Sequence, residues 1–311
     1  MTTTDLTAEQ IHQIGLKEVA RIETSMDGLL RKLGYNDGSI KVRMEKLEQD
    51  LQPPATPDPR PALLARYEAI TRDAEKRAAL MFDLRPKAPV EVRREPIFTE
   101  KSAAAHYTGP ARDGSRPGIF WAPLPGPHFE MTSMRTLVYH EAVPGHHFQT
   151  SLAQEATGLP RFRRFGRDTA FTEGWGLYAE TLGPELGLYG DPYSRFGALT
   201  LQVWRAVRLV VDTGLHSQGW SRARAIEYFR ANTSLGEADV NAEVDRYIAM
   251  PGQALAYKIG QLKLSELRRR AQRTLGPKFD PRAFHTEILA GGSLPLSVLE
   301  QRVDRWIESR R

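Results

Sequence analysis

The sequence predicts a mainly α protein with a small β-sheet insert near residues 86–126, and three observations carry that prediction. Apolar residues recur at steps of three and four in the first third of the chain, the mark of helices with one buried face. Between residues 86 and 130 the character changes to proline, glycine and short β-prone runs. From about 131 to the end the pattern is helical, broken by glycine and proline near 144, 158–160, 183–191, 219, 236, 251, 276 and 292–295. With 41% hydrophobic residues in 311, the chain can bury a large core and reads as one domain over 1–311. A helical segment 1–85 leads into the β region 86–130 and then a helical core over 131–311.

The elements follow in order. Thr7-Ala8-Glu9-Gln10 is a capping-box signature, and Val19, Ile22, Met26, Leu29 or Leu30 and Leu33 continue an amphipathic helix that Gly34 stops. The stretch LQPPATPDPRP (51–61) holds five prolines and cannot continue a helix, so it is a surface connector. A second helix is predicted over 61–82. PVEVRREPIF (89–98) and RPGIFWAPLPG (116–126) predict two or three strands. The prolines around IFWA place that strand at a sheet edge, and an extended substrate would pair with its backbone around Ile119 to Pro123.

Charge and composition narrow the chemistry. A formal net charge of +5 comes from 43 basic against 38 acidic residues, an excess spread too thinly for a nucleic-acid-binding motif. RFRRFGR (161–167) and ELRRRAQR (266–273) offer charge for a phosphate or an acidic substrate, but the preferred reading is solvated helix faces. Cysteine is absent, which excludes disulfides, thiolate metal sites and a cysteine nucleophile. Any metal must therefore be held by His, Asp or Glu. The start MTTTDLTAEQ has no basic or apolar leader and no membrane-spanning run follows, so a cytoplasmic location without membrane association is expected.

Residues 139–149 read YHEAVPGHHFQ. In the zinc-hydrolase pattern H-E-x-x-H, two histidines four apart share a helix face and the glutamate acts on a bound water. Here Pro144 occupies the second histidine position, and His146 and His147 come two and three residues later. On a regular helix six residues span ~9 Å, too far for two imidazoles on one ion, whose ligating nitrogens lie ~3 Å apart. Pro144 and Gly145 supply the means to interrupt the helix, and a two-residue loop-out would bring His146 to the i+4 place. A regular helix would instead bring His147 closer to the His140 face.

A third ligand is offered by AFTEGWGLYAE (170–180), where Glu173 starts a second helix. Two nitrogens and one oxygen leave the fourth zinc position for water, a catalytic arrangement. Glu141, next to His140 and turned off the ligand direction, is placed to take a proton as general base.

HEAVPGHHFQ, TEGWGLYAE, RLVVDTGLHSQGWS (208–221), EVDRYIAMPGQALAYKIGQ (243–261) and the opening TTTDLTAEQIHQIGLKEVARI together resemble the DUF885 family, bacterial proteins of unknown function that are similar to gluzincin-type zinc metallopeptidases. The resemblance covers essentially the whole chain and matches the C-terminal part of the usual family length. It implies a helical zinc-metallopeptidase-like fold, one Zn2+ per chain and hydrolysis of peptide bonds. TEGW is similar to the N-E-G-F of zinc aminopeptidases, which implies that Glu173 is a ligand. Gly145-His146 is similar to the G-H that closes several gluzincin motifs, which favours His146 over His147.

The motifs that carry the resemblance also supply His216, Tyr247 and Tyr257 as donors to a developing oxyanion. Arg246 and Lys258 are candidates for a substrate carboxylate. The expected substrate is a peptide or small amide, with no nucleic acid partner. A surface normally covered by a further N-terminal portion offers a route to self-association. Two rival functions share these residues: an inactive scaffold whose metal joins two helices, and a zinc amidase or esterase acting on a small substrate.

Overall fold

The computed structural model describes residues 1–311. Its helices are α1 (Ala8–Lys32), α2 (Ile40–Asp50) and α3 (Arg60–Ala78), then, after three strands, α4 (Met134–Glu141), α5 (His146–Glu155), α6 (Arg161–Phe165) and α7 (Thr169–Thr181). The remainder is α8 (Pro192–Ser217), α9 (Arg222–Asn232), α10 (Glu237–Ala249), α11 (Leu255–Leu275), α12 (Pro281–Leu289) and α13 (Leu296–Glu308). The strands are β1 (Val90–Arg94), β2 (His106–Thr108) and β3 (Gly118–Ala122). The predicted class, mainly α with a small sheet, is what is found.

The chain gathers into two compact units interleaved in sequence: residues 1–52, 130–134 and 189–259 form the first, and 53–129, 135–188 and 260–311 the second. In the first, α1 lies along α8. The Thr7 capping box is formed, with Thr7 and Gln10 side chains each serving the other's backbone amide. Val19, Ile22, Met26 and Leu30 of α1 pack with Val203, Ala206, Val207 and Val211 of α8 and with Phe229, Val244 and Tyr247. Each such fully buried apolar side chain is worth about 1.5–3 kcal/mol. The two helices approach closely because Gly15 lacks a side chain: a methyl there would sit 2.7 Å from a Val210 methyl.

α2 is a helix that the sequence reading did not include. Ser39 caps it by accepting from the Val42 amide, and its buried face is short, Arg43, Met44 and Leu47.

The second unit holds α3, the sheet, α4 beyond Met134, α5 to α7, α11 beyond Ile259, α12 and α13. The core is aromatic: Phe82 meets Phe148 and Trp175 edge-on and stacks on His285 at 4.6 Å. The basic ELRRRAQR stretch is tied down by acids, with Arg268 on Glu185 and Arg270 on Glu266, Glu300 and Asp304.

The expected edge strand is a central one. The sheet order is β1-β3-β2, with β3 parallel to β1 and antiparallel to β2. Pro117 and Pro123 flank the ladder of Gly118–Ala122 and do not enter it, so every backbone donor inside the strand remains available to a neighbour. Backbone pairing of a substrate along Ile119 to Pro123 is therefore ruled out. No helix is long and apolar enough to cross a membrane.

Candidate metal centre

The interruption after His140 is a break between two helices. α4 ends at Glu141 and α5 begins at His146. Across the break the Val143 amide reaches back five residues to Val138 and the His147 amide five residues to Ala142, and the Val143–Pro144 peptide is cis. Gly145 has no alternative at its position: a methyl would fall 1.9 Å from the His140 carbonyl oxygen. The Pro144 carbonyl accepts from the buried Trp175 indole N–H at 2.9 Å, and the Gly145 carbonyl, which also accepts from the Gln149 amide, lies 3.2 Å from the same indole nitrogen. Trp175 of α7 thus clamps the break.

The break brings the His140 and His146 rings together, with centroids 4.7 Å apart and planes at 86°. Glu173 of α7 faces both: its Oε2 lies 3.6 Å from His140 Nε2 and 3.5 Å from His146 Nε2. One ligand atom from each of the three residues lies within 4.8 Å of the others, a group that could hold a metal ion. These separations exceed the ~2.9 Å of an N–H···O bond. They approach the ~3.3 Å between ligand atoms of a tetrahedral ion with ~2.0–2.1 Å bonds. Two imidazole nitrogens and a carboxylate oxygen are a donor set that suits zinc, with its tolerance of mixed nitrogen and oxygen ligands.

Glu173 is one turn inside α7, whose N-cap is Asp168, so it does not start the helix as the sequence suggested. Its carboxyl is held well below the usual range: burial opposes ionisation, and contacts from His140 and His146 outweigh that cost.

Glu180 is the residue that the sequence reading missed. It is 1% exposed, and its Oε1 accepts from His140 Nδ1–H at 2.8 Å. In the neutral ring, the form that binds a metal, that bond keeps the proton on Nδ1 and leaves Nε2, on the Glu173 side, as the free donor atom. Burial disfavours a charged His140, yet Glu173, Glu180 and the neighbouring Glu141 raise its pKa to about 10. The surroundings thus favour positive charge at this point. Gly176 lies between Glu173 and Glu180 on the same helical face, and a methyl there would fall 2.6–2.9 Å from His140 ring atoms. The helix can approach the imidazole only because this residue is glycine.

His147 is turned elsewhere. Its Nδ1 meets the Tyr107 hydroxyl at 2.9 Å and Ser151 at 3.3 Å, and burial pushes its pKa down to about 4. His146 is the histidine that joins the group. Glu141 is buried at the end of α4.

The remaining predicted residues belong to the first unit. His216, in the last turn of α8, donates from Nε2 to the Tyr247 carbonyl at 2.9 Å. Tyr247 is 1% exposed, and its hydroxyl donates to Glu243 at 2.5 Å while accepting from Arg208 at 2.9 Å. That hydroxyl is fully engaged. Tyr257 is half-buried beneath the Arg208 guanidinium, 4.5 Å from the ring centre. Lys258 is buried against Glu18 at 2.8 Å, an ion pair inside the unit.

Two solved structures share this fold. The crystal structure of a "putative lipoprotein" from Colwellia psychrerythraea is 41% identical, with a TM-score of 0.94, over 98% of this chain and 53% of that one. A protein similarly described from Shewanella oneidensis, of unknown function, is 21% identical with a TM-score of 0.80, over 96% of this chain and 57% of that one. The chain thus spans about half the length of each. No curated protein matches it. The match of the family model for DUF885, bacterial proteins of unknown function, to residues 1–303 places the chain in that family: it is a DUF885 protein.

Proposed function

We propose that the protein is a zinc-dependent hydrolase, and within that class a metallopeptidase. The observation that carries the reading is the convergence of His140 Nε2, His146 Nε2 and Glu173 Oε2 across a helix break, with a buried carboxylate, Glu180, orienting the first histidine. In this reading His140, His146 and Glu173 hold one Zn2+. A zinc ion in such a three-ligand site polarises a carbonyl and makes water nucleophilic near neutral pH.

The chain's own residues supply the rest. Glu141 follows His140 directly, and its carboxylate accepts a proton from the attacking water and returns it to the leaving nitrogen. Glu180 keeps His140 in one tautomer throughout. Peptides are the substrate class that the reading favours over small amides or esters, on the resemblance of HEAVPGH and TEGW to peptidase motifs.

A peptide-library cleavage assay on wild type and Glu141→Gln tests it. Wild type should cleave, and the variant should keep its metal and lose roughly 10²–10⁴-fold in rate. Equal turnover by the two proteins, or no cleavage by a fully metallated wild type, counts against the peptidase assignment.

A further inference from the structure

In the first unit, α8, α10 and the first turn of α11 gather nitrogen donors that outnumber their acceptors. Arg208 is 4% exposed; its Nε donates to the Tyr247 hydroxyl at 2.9 Å and its Nη2 to Glu243 at 3.0 Å, while Nη1 is buried with no partner. One turn earlier on α8, the Trp204 indole nitrogen is also buried without a well-formed hydrogen bond, facing a Tyr247 hydroxyl that Arg208 and Glu243 already occupy. The Arg208 guanidinium lies 4.8 Å from the centre of the Trp204 ring and 4.5 Å from that of Tyr257. Arg246 of α10 donates to the same Glu243 at 3.3 Å and to Gln253 at 2.9 Å.

The charge count points to the ligand. Arg208 and Arg246 are two cations sharing one carboxylate, Glu243, which leaves one positive charge. Arg205, 4.8 Å from the Trp204 ring centre, has Glu130 as its acidic neighbour. Buried guanidinium nitrogens and indole N–H groups are normally satisfied, and donors of this kind are satisfied only by acceptor atoms. Trp204, Tyr257 and Arg246 are each partly exposed, while the unpaired nitrogens of Arg208 and Trp204 are themselves buried.

We propose that Arg208, Arg246 and Trp204, with Tyr257 beside them, form a binding site for a compact carboxylate. A carboxylate is a monoanion, which matches the single excess charge. Its two oxygens suit the paired donors of a guanidinium, and its flat shape suits the neighbouring rings. The proposal does not depend on the metal reading, since His140, His146 and Glu173 take no part. Free organic acids and peptide C-termini both present this group.

Calorimetric titration with N-acetylglycine and its amide, N-acetylglycinamide, tests the site. Wild type should bind the acid saturably and the amide not at all. Affinity for the acid should fall about tenfold or more in Arg208→Lys and in Arg246→Gln, as loss of one charge-assisted contact implies. Arg246 is partly exposed, so Arg246→Gln remains informative if the Arg208 variant does not fold. His146→Ala should bind the acid as wild type does, which separates this site from carboxylate binding to a metal. Tighter binding of N-acetyl-dialanine than of acetate would identify a peptide terminus as the source, and equal binding a free acid. Absence of saturable binding to folded wild type, equal binding of the amide, or unchanged affinity in Arg246→Gln overturns the proposal.

Discussion

Glu180 shows what a single buried side chain contributes to the centre. Its carboxylate is the hydrogen-bond acceptor that commits His140 to presenting Nε2, and its charge helps favour positive charge on that ring. Glu180→Gln keeps an oxygen acceptor and removes the charge, so metal affinity should fall about 10–100-fold. Competition with a chromophoric chelator measures this; unchanged affinity would show that Glu180 is only a packing residue. The three residues of the metal group were legible in the sequence because two histidines and a glutamate stand in motif order. Glu180 was legible in principle: Glu173, Gly176 and Glu180 are spaced i, i+3, i+7 and share one helix face. Its partner could not be read, because which side chain faces His140 depends on packing between α4 and α7. Arg208 opens the RLVVDTGLHSQGWS motif, but only burial distinguishes it from the many arginines on solvated faces.

Among the elements, α7 carries most of the arrangement. It supplies Glu173 and Glu180, clamps the break between α4 and α5 through Trp175, and approaches His140 through Gly176. Gly176→Ala puts a methyl into the imidazole, so the ring or the helix must move. The expected cost is about 1–3 kcal/mol of stability, as for other overpacked sites, with a loss of metal affinity beside it. Urea unfolding and the chelator competition read the two effects separately. A variant with wild-type values in both would show that the close approach of α7 is not needed. Helix positions followed from apolar periodicity and from glycine and proline breaks, and most breaks fall where the sequence places them. α2 was missed because its buried face is only three residues long. Strand order was misread because prolines mark where a ladder ends, whereas edge or centre is decided by pairing with distant segments.

At the scale of the molecule, stability is linked to pH. His285 is fully buried in the second unit; its Nδ1–H donates to the Met81 carbonyl at 2.8 Å, so its Nε2 accepts from the Tyr178 hydroxyl at 2.8 Å. Burial keeps the ring neutral and lowers its pKa from 6.5 to about 3. Between those values the unfolded chain binds the extra proton and the folded chain does not. The stabilising contribution is therefore complete above pH 6.5 and is lost as pH falls toward 3. The slope from this residue is at most about 1.4 kcal/mol per pH unit. Denaturant midpoints across this range should fall less steeply in His285→Phe than in wild type, although the variant is less stable overall. Parallel slopes would show that His285 is not the titrating group.

The central claim is that the break after Glu141 makes His146, with His140 and Glu173, a holder of one zinc ion. Elemental analysis of protein purified without a metal-affinity tag tests it most directly, with wild type and His146→Ala in parallel. The account predicts about one zinc per wild-type chain and loss of that zinc in the variant. A wild-type protein without stoichiometric metal, or a variant that retains it, would contradict the account.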